Sequence, residues 1–399
     1  HALEVSKIRQ KYHQNCKIVL GSATPSLETK TRALKGVYRQ LYLTKRFNDS
    51  SLPETEIIDM LDWRNLDNES SMFSLTLRKE IQERLDKKEQ VMLLVNRRGF
   101  SPFISCRKCG KVLKCPTCGI PLSYHKKDNL LKCHHCGLVD NMPRTCSKCQ
   151  STMFTKTGFG TEKVEEEVKR LFKDARILRL DSDVASIRSA VGKVINQFEN
   201  EEADILIGTQ MIAKGHDFKN VTLVGVVLAD LGLNIPSFKA SERTFNLITQ
   251  AIGRAGRHQK QGKAIIQTYM PKHYVIYDAS IQDYNRFFNE EMAYRKESQN
   301  PPYTYLTTLT FASSNEKEVI DKSYYFKDLL VAKFAQKRVE VIGPSEPFIT
   351  KMNDKYRRKI LLKYKNYSDV KMVLKEIKEN VNKNSQIDVI INVDPMDDY

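Results

Sequence analysis

Short, wholly apolar runs alternate with stretches of helical spacing through the middle of this chain, and that rhythm predicts a parallel sheet covered by helices. Val91-Met92-Leu93-Leu94-Val95 is one such run, of strand length and without a solvated face, and an amphipathic helix over 75–86 precedes it. The alternation resumes later as helix 161–172, strand 177–180, helix 184–198, strands 205–208 and 221–229, helix 240–255 and strand 264–269. Between the two parts, from about 102 to 152, apolar residues are too sparse for a core of their own. A bound metal would have to replace that core.

The flanks read differently. A helix over 3–12 leads to an apolar strand at 17–20 and then to Gly21-Ser22-Ala23-Thr24-Pro25, a strand-to-helix turn in which Thr24 caps the helix and Pro25 takes its first position. Residues 47–69 are polar, with Pro53 and an isolated strand at 56–59, and read as a linker. Beyond Pro271 the pattern becomes one helix over 274–297, a breaker at Asn300-Pro301-Pro302, and then strand, helix, strand, strand, helix, strand. That order suits a separate α/β domain.

A chain of 399 residues is long enough for two or three domains. It has no run of eighteen apolar residues and no charged-then-apolar opening, so the expectation is a cytoplasmic protein with no membrane contact. Its 65 Lys and Arg against 48 Asp and Glu leave a formal net charge of +17. Such a field draws in polyanions, which makes nucleic acid the default partner.

Eight of the nine cysteines form four Cys-x-x-Cys pairs: Cys106/Cys109, Cys115/Cys118, Cys133/Cys136 and Cys146/Cys149. In a reducing compartment such pairs mean metal more often than disulfide. Fourteen residues separate Cys118 from Cys133, enough for a β-hairpin, so the inner four residues are expected to share one structural Zn²⁺ and, by elimination, the outer four a second. Sequential pairing, first with second and third with fourth, is the alternative. Four thiolates leave no open position for a substrate. His134 and His135 read as exposed side chains between ligands, and Cys16 as a lone packed thiol.

After the strand at 205–208 comes Gly208-Thr209-Gln210-Met211-Ile212-Ala213-Lys214-Gly215-His216-Asp217-Phe218, which sets hydroxyl, amide and backbone N–H groups at the carboxyl edge of a sheet. Thr209 is a candidate for a DNA phosphate, Gly215 and Asp217 for nucleotide. Farther on, Gln250-Ala251-Ile252-Gly253-Arg254-Ala255-Gly256-Arg257 sets two arginines three residues apart, expected on one helical face and able to stabilise charge in phosphoryl transfer.

Gly21-Ser22-Ala23-Thr24-Pro25-Ser26, the Gly208 to Phe218 segment and the Gln250 to Arg257 segment together resemble motifs three, five and six of superfamily 2 helicases. Asn96-Arg97-Arg98-Gly99-Phe100 before the cysteines, Gly158-Phe159-Gly160-Thr161-Glu162 after them, Ala229-Asp230, the run from Pro236 to Thr244, and Pro301-Pro302-Tyr303 narrow the resemblance to the primosomal replication-restart helicases, the PriA family. The likeness covers nearly the whole chain. It implies an ATP-driven 3′-to-5′ DNA helicase that recognises abandoned forks, uses ATP and Mg²⁺, and works as a monomer in the bacterial nucleoid. Its implied partners are forked and single-stranded DNA, single-stranded DNA-binding protein, and primosomal and helicase-loader proteins. By the family's pattern, Gln250, Arg254 and Arg257 contact ATP phosphates, Thr209 and Lys214 face DNA, and Ser22 and Thr24 couple the two.

The resemblance divides the chain into the end of a first motor domain (1–46), a linker (47–69), a second RecA-like motor domain (70–101 and 153–270), an inserted two-zinc module (102–152) and a small C-terminal α/β domain that binds DNA (271–399). In that last part Lys351, Lys355, Arg357, Arg358, Lys359, Lys363 and Lys365 surround Tyr356, Tyr364 and Tyr367, and Arg357, Arg358 and Lys359 are the candidate DNA contacts on a strand with one solvated face. One departure is plain: no Gly-x-x-x-x-Gly-Lys-Ser/Thr and no Asp-Glu-x-His occurs, so this polypeptide is read as a C-terminal fragment, inactive towards ATP by itself. The competing reading is a zinc-ribbon scaffold that binds nucleic acid and protein partners without a motor.

Overall fold

The computed structural model describes all residues except 1, 14, 44–51, 68, 71, 96–102, 107, 118–120, 126–128, 135, 158–160, 182–189, 214, 216–217, 236, 257–259, 348, 385–386 and 396–399. The chain divides into two compact units, His1–Tyr42 and Leu43–Tyr399.

The first unit holds helices α1 (Ala2–Tyr12) and α2 (Leu27–Leu34). The expected strand at 17–20 does not form, and Val19 is 89% exposed. A strand needs a neighbour for its backbone groups, and this unit offers none among its described residues. The cap of α2 is Ser26, whose Oγ accepts from Thr29 N at 3.2 Å. Thr24, the expected cap, instead donates its own N–H to Ser22 Oγ at 3.1 Å. Cys16 is exposed rather than packed, in the turn after α1.

The second unit contains three sheets. The largest is six-stranded and wholly parallel, in the order β1-β11-β10-β2-β9-β8, from β1 (Glu54–Asp59), β2 (Gln90–Val95), β8 (Ile177–Leu180), β9 (Ile205–Gly208), β10 (Val221–Val227) and β11 (Lys263–Thr268). Every residue of β2, β9 and β10 is buried, including Gln90 and Thr222, whose side chains are hydrogen-bonded, as a parallel sheet covered on both faces requires. The segment read as a linker supplies the outer strand of this sheet, Glu54↔Lys263 to Asp59↔Thr268. Helices α3 (Leu75–Asp86), α4 (Thr161–Leu171), α5 (Ala190–Glu199), α6 (Asp230–Leu233) and α7 (Ala240–Ile252) belong to the same segment of chain. Leu77, Ile81, Val164 and Val168 from α3 and α4 enter the core with Val91, Leu93, Ile205 and Ile207.

The cysteine-rich insertion forms a five-stranded antiparallel sheet, β6-β5-β4-β3-β7, from β3 (Phe103–Cys106), β4 (Ser123–His125), β5 (Leu130–Lys132), β6 (Val139–Asn141) and β7 (Phe154–Thr157). Its buried cluster is Ile104, Leu122 and Leu131 with Cys115 and Cys133. Val112 is also buried, and Leu113, Tyr124, Leu138, Met142 and Phe154 pack against the cluster partly buried, a small core for some fifty residues.

Beyond β11 the single expected helix is two, α8 (Tyr274–Ser280) and α9 (Tyr284–Glu297). Gln282 turns left-handed at φ 54, and the Asp283 carboxylate then caps the second helix by accepting from Arg286 N at 2.9 Å. The third sheet runs β13-β15-β12-β16, with a two-residue strand on β15: β12 (Tyr305–Ser313), β13 (Val339–Ser345), β14 (Lys351–Met352), β15 (Lys355–Tyr364) and β16 (Asp388–Val393). Helices α10 (Glu316–Phe334) and α11 (Tyr367–Asn384) complete it, and Val319, Leu330, Phe334, Val370 and Leu374 pack on Ile360, Leu362 and Tyr364. β15 lies between β13 and β12 and is not half-solvated: Lys359 and Leu361 on its other face are 4% and 1% exposed.

Candidate metal centre and motor motifs

Three of the four Cys-x-x-Cys pairs make the same backbone turn. Cys106 N donates to Lys111 O at 2.8 Å and Gly110 N to Cys106 O at 2.9 Å; Cys133 N to Leu138 O at 2.8 Å and Gly137 N to Cys133 O at 3.0 Å; Cys146 N to Ser151 O at 2.8 Å and Gln150 N to Cys146 O at 2.8 Å. The fourth residue after the first cysteine is left-handed each time, Gly110 at φ 68, Gly137 at φ 83 and Gln150 at φ 59. This turn brings the two sulfurs of a pair to one side of the chain.

Among the described residues the sulfurs gather in two groups, Cys106, Cys109, Cys146 and Cys149, and Cys115, Cys133 and Cys136, with all sulfurs of a group within 4.8 Å of one another. Cys118 lies outside the described residues. The structure therefore brings the outer pairs together, the nested arrangement and not the sequential one. Cys106 and Cys149 are 3.5 Å apart, Cys109 and Cys146 3.6 Å, Cys115 and Cys136 3.7 Å. A tetrahedron with metal–sulfur bonds of about 2.3 Å has edges of about 3.8 Å, so the spacing fits zinc without rearrangement. The Lys148 amide donates to Cys146 Sγ at 3.4 Å and lowers that thiol towards the thiolate a metal needs. Zinc here would supply a cross-link between distant turns and no reactive position.

His134 is not exposed but 3% accessible, while His135 lies outside the described residues. The His134 Nδ1 atom is 3.0 Å from the Glu346 carbonyl, which can only accept, so Nδ1 carries the proton. Its Nε2 then accepts from His125 Nε2 at 3.4 Å. Burial holds the imidazole below its usual pKa, in the neutral form this arrangement requires.

Thr209 follows β9 and is buried, its N–H on Leu180 O at 3.3 Å. Gly215 is exposed at φ 82, and Lys214 and Asp217 lie outside the described residues. The expected helix over 240–255 stops at Ile252, so Arg254 stands in the turn after α7 and not on a helical face. Gly256, at φ 64, donates its N–H to Val221 O at 3.0 Å and carries the backbone away from the helical path. Arg254 is 9% exposed and donates from Nε and Nη2 to the Ala213 carbonyl at 3.1 and 2.9 Å. The structure thus joins motif six to motif five. Gln250 is half-buried on α7, and Arg257 lies outside the described residues. In the first unit Ser22 is exposed and Thr24 buried.

A buried ionic junction escaped the sequence reading. Arg295 on α9 is 2% exposed and donates to Glu242 of α7 at 2.7 Å, to Glu291 at 2.9 Å and to the Pro301 carbonyl at 3.1 Å, with its guanidinium 5.2 Å from the Phe238 ring centroid. Of the candidate DNA contacts, Arg357 is half-buried, Arg358 stands 3.6 Å from Glu346, and Lys359 is buried. Covering of β15 on both sides takes Lys359 off the surface.

Residues 296–396 match the Primosomal protein N C-terminal domain, 115–139 the PriA DNA helicase Cys-rich region, and 138–259 the Helicase conserved C-terminal domain. The chain is 42% identical over 99% of its length to Replication restart protein PriA of Bacillus subtilis, covering 49% of that protein. It is 39% identical over 99% of its length to the protein of that name from Synechocystis, covering 48%, and 35% identical over 96% to that of Haemophilus influenzae, covering 52%. It spans about half the length of these relatives. Among solved structures, S. cerevisiae Dbp5 bound to RNA and ADP BeF3 aligns at 13% identity and a TM-score of 0.37 over 74% of this chain and 57% of that one, which adds nothing to the fold already described. On its three family segments and the named relatives that match almost all of it, the chain belongs to the PriA family of replication restart proteins.

Proposed function

We propose that this chain is the second motor domain, two-zinc module and C-terminal domain of an ATP-dependent 3′-to-5′ DNA helicase that acts at stalled or abandoned forks and promotes reloading of the replicative helicase. The observation that carries the reading is the bond from Arg254 to the Ala213 carbonyl, next to Lys214, because it ties the residues assigned to nucleotide to those assigned to DNA. A phosphate arriving at Arg254 competes for its guanidinium, and whatever moves Arg254 moves the 209–218 loop. Gln250, Arg254, Arg257, Gly215 and Asp217 are assigned to ATP with Mg²⁺, Thr209 and Lys214 to DNA, and Ser22 and Thr24 to the link between them. Arg357 remains a candidate DNA contact, whereas Arg358 and Lys359 are assigned to packing.

Forked and single-stranded DNA, single-stranded DNA-binding protein and loader proteins are the proposed partners, in the cytoplasm. The scaffold reading is disfavoured, because a scaffold has no use for an arginine buried between motifs five and six.

The test is ATP hydrolysis by the full-length protein with and without forked DNA. Arg254→Ala is expected to lower the DNA-stimulated rate by about 10³-fold, as loss of a phosphate-directed arginine does. The 399-residue chain alone, lacking a phosphate loop, is expected to release no phosphate. An Arg254→Ala protein as active as the parent would sink the assignment.

A further inference from the structure

The two cysteine groups face different neighbours, and both contacts are made at the knuckle glycines. A Cβ added at Gly110, beside the outer group, would lie 3.0 Å from Leu61 Cδ1 and 3.4 Å from Tyr269 O, in the segments that follow β1 and β11 of the parallel sheet. A Cβ at Gly137, beside the inner group, would lie 2.8 Å from Pro344 O and 3.5 Å from Ser345 Cα in β13. Both glycines have a left-handed backbone, and at Gly137 a Cβ would press on the Pro344 carbonyl, which has no flexible side chain to give way.

Around Gly137 the contact is polar and closely matched. Ser345 Oγ donates to the His134 carbonyl at 3.3 Å, and His134 Nδ1–H donates to the Glu346 carbonyl at 3.0 Å. The Glu346 carboxylate lies 3.4 Å from Lys132 and 3.6 Å from Arg358. β13 is an edge strand of the C-terminal sheet, paired to β15 on one side. The insertion meets the end of that strand, at Pro344, Ser345 and Glu346.

We infer that the inner zinc site is a docking device for the C-terminal sheet while the outer site anchors the same module to the motor sheet, an inference that rests on the reading of both cysteine groups as zinc sites. The His134 ring and carbonyl belong to the turn between Cys133 and Cys136, and Gly137 follows it directly. A shared ion would fix that turn; without one, the 3.7 Å contact of Cys136 with Cys115 is a weak link in a module with a small apolar core. Occupancy of the inner site is therefore felt at β13 and Glu346, more than 200 residues away in sequence. Occupancy of the outer site is felt at Leu61 and Tyr269.

Zinc content and backbone hydrogen exchange on the full-length protein test this together. Two zinc ions are expected in the parent and one in Cys133→Ser, which should exchange over 339–346 about tenfold faster while β12 keeps its parental rates. Cys146→Ser should lose the other ion and leave 339–346 unchanged. Glu346→Lys keeps all eight cysteines, so it should retain both ions and still exchange faster over 339–346. That variant decides the matter if Cys133→Ser exchanges fast everywhere. Parental exchange over 339–346 in Glu346→Lys, or in a Cys133→Ser protein that has lost one ion, would overturn the docking. A parent without zinc would remove the metal reading and the docking with it.

Discussion

His273 caps α8 with its ring, Nδ1 accepting from Val275 N at 3.3 Å while the imidazole stacks on Tyr274 with centroids 4.8 Å apart. Burial pushes its pKa down to about 4, and the nearby Lys114 charge adds to the effect. An unfolded histidine takes its proton near pH 6.5, so the unfolded state binds more protons between about 6.5 and 4 and stability falls as pH drops through that window. The ceiling on the loss is roughly 3 kcal/mol. Asparagine caps without titrating in this range, so His273→Asn should flatten the decline, measured by urea denaturation at pH 7 and pH 5. Parallel declines in the two proteins would show that the ring does not titrate with folding. At this scale the four Cys-x-x-Cys pairs were legible from their spacing, whereas the choice between nested and sequential grouping needed the fold. The burial of His134 was not, because Ser345 and Glu346 stand far along the chain, and neither was the bond from Arg254 to Ala213.

The junction between α7 and α9 carries a buried charge group. Arg295 joins Glu242, Glu291 and the Pro301 carbonyl, Tyr274 OH adds a bond to Glu291, and Phe245 stacks on Phe287 at 4.1 Å and 9°. These contacts fix the helix that leads to Gln250 and Arg254 against the helix that leads to the C-terminal sheet. Arg295→Met would strand two buried carboxylates, and the expected loss is about 3–5 kcal/mol in denaturant titrations. A loss below about 1 kcal/mol would mark the pair as no better than a surface bridge. The apolar runs within β2 and β10 were legible because nothing but burial explains them. The break at Gln282 was missed because helical spacing continues across it, and β1 was taken for a connector because its pairing partner, β11, lies about two hundred residues away.

Across the whole molecule, one cysteine-rich insertion meets two sheets, with the outer cysteine group beside the parallel sheet and the inner group beside the end of β13 in the C-terminal sheet. The alternation of apolar strands and helices was legible from periodicity, but the contacts between sheets were not, since a contact between separate sheets leaves no local pattern. The net charge of +17 is consistent with a nucleic-acid track without locating it, and the basic strand that seemed to locate it is largely packed. Strand displacement by the full-length protein on partial duplexes with either a 3′ or a 5′ single-stranded tail tests whether this chain is part of a directional DNA motor. ATP-dependent displacement that requires the 3′ tail and disappears in Arg254→Ala is the predicted result; tight binding of both substrates with no displacement in the presence of ATP would contradict it.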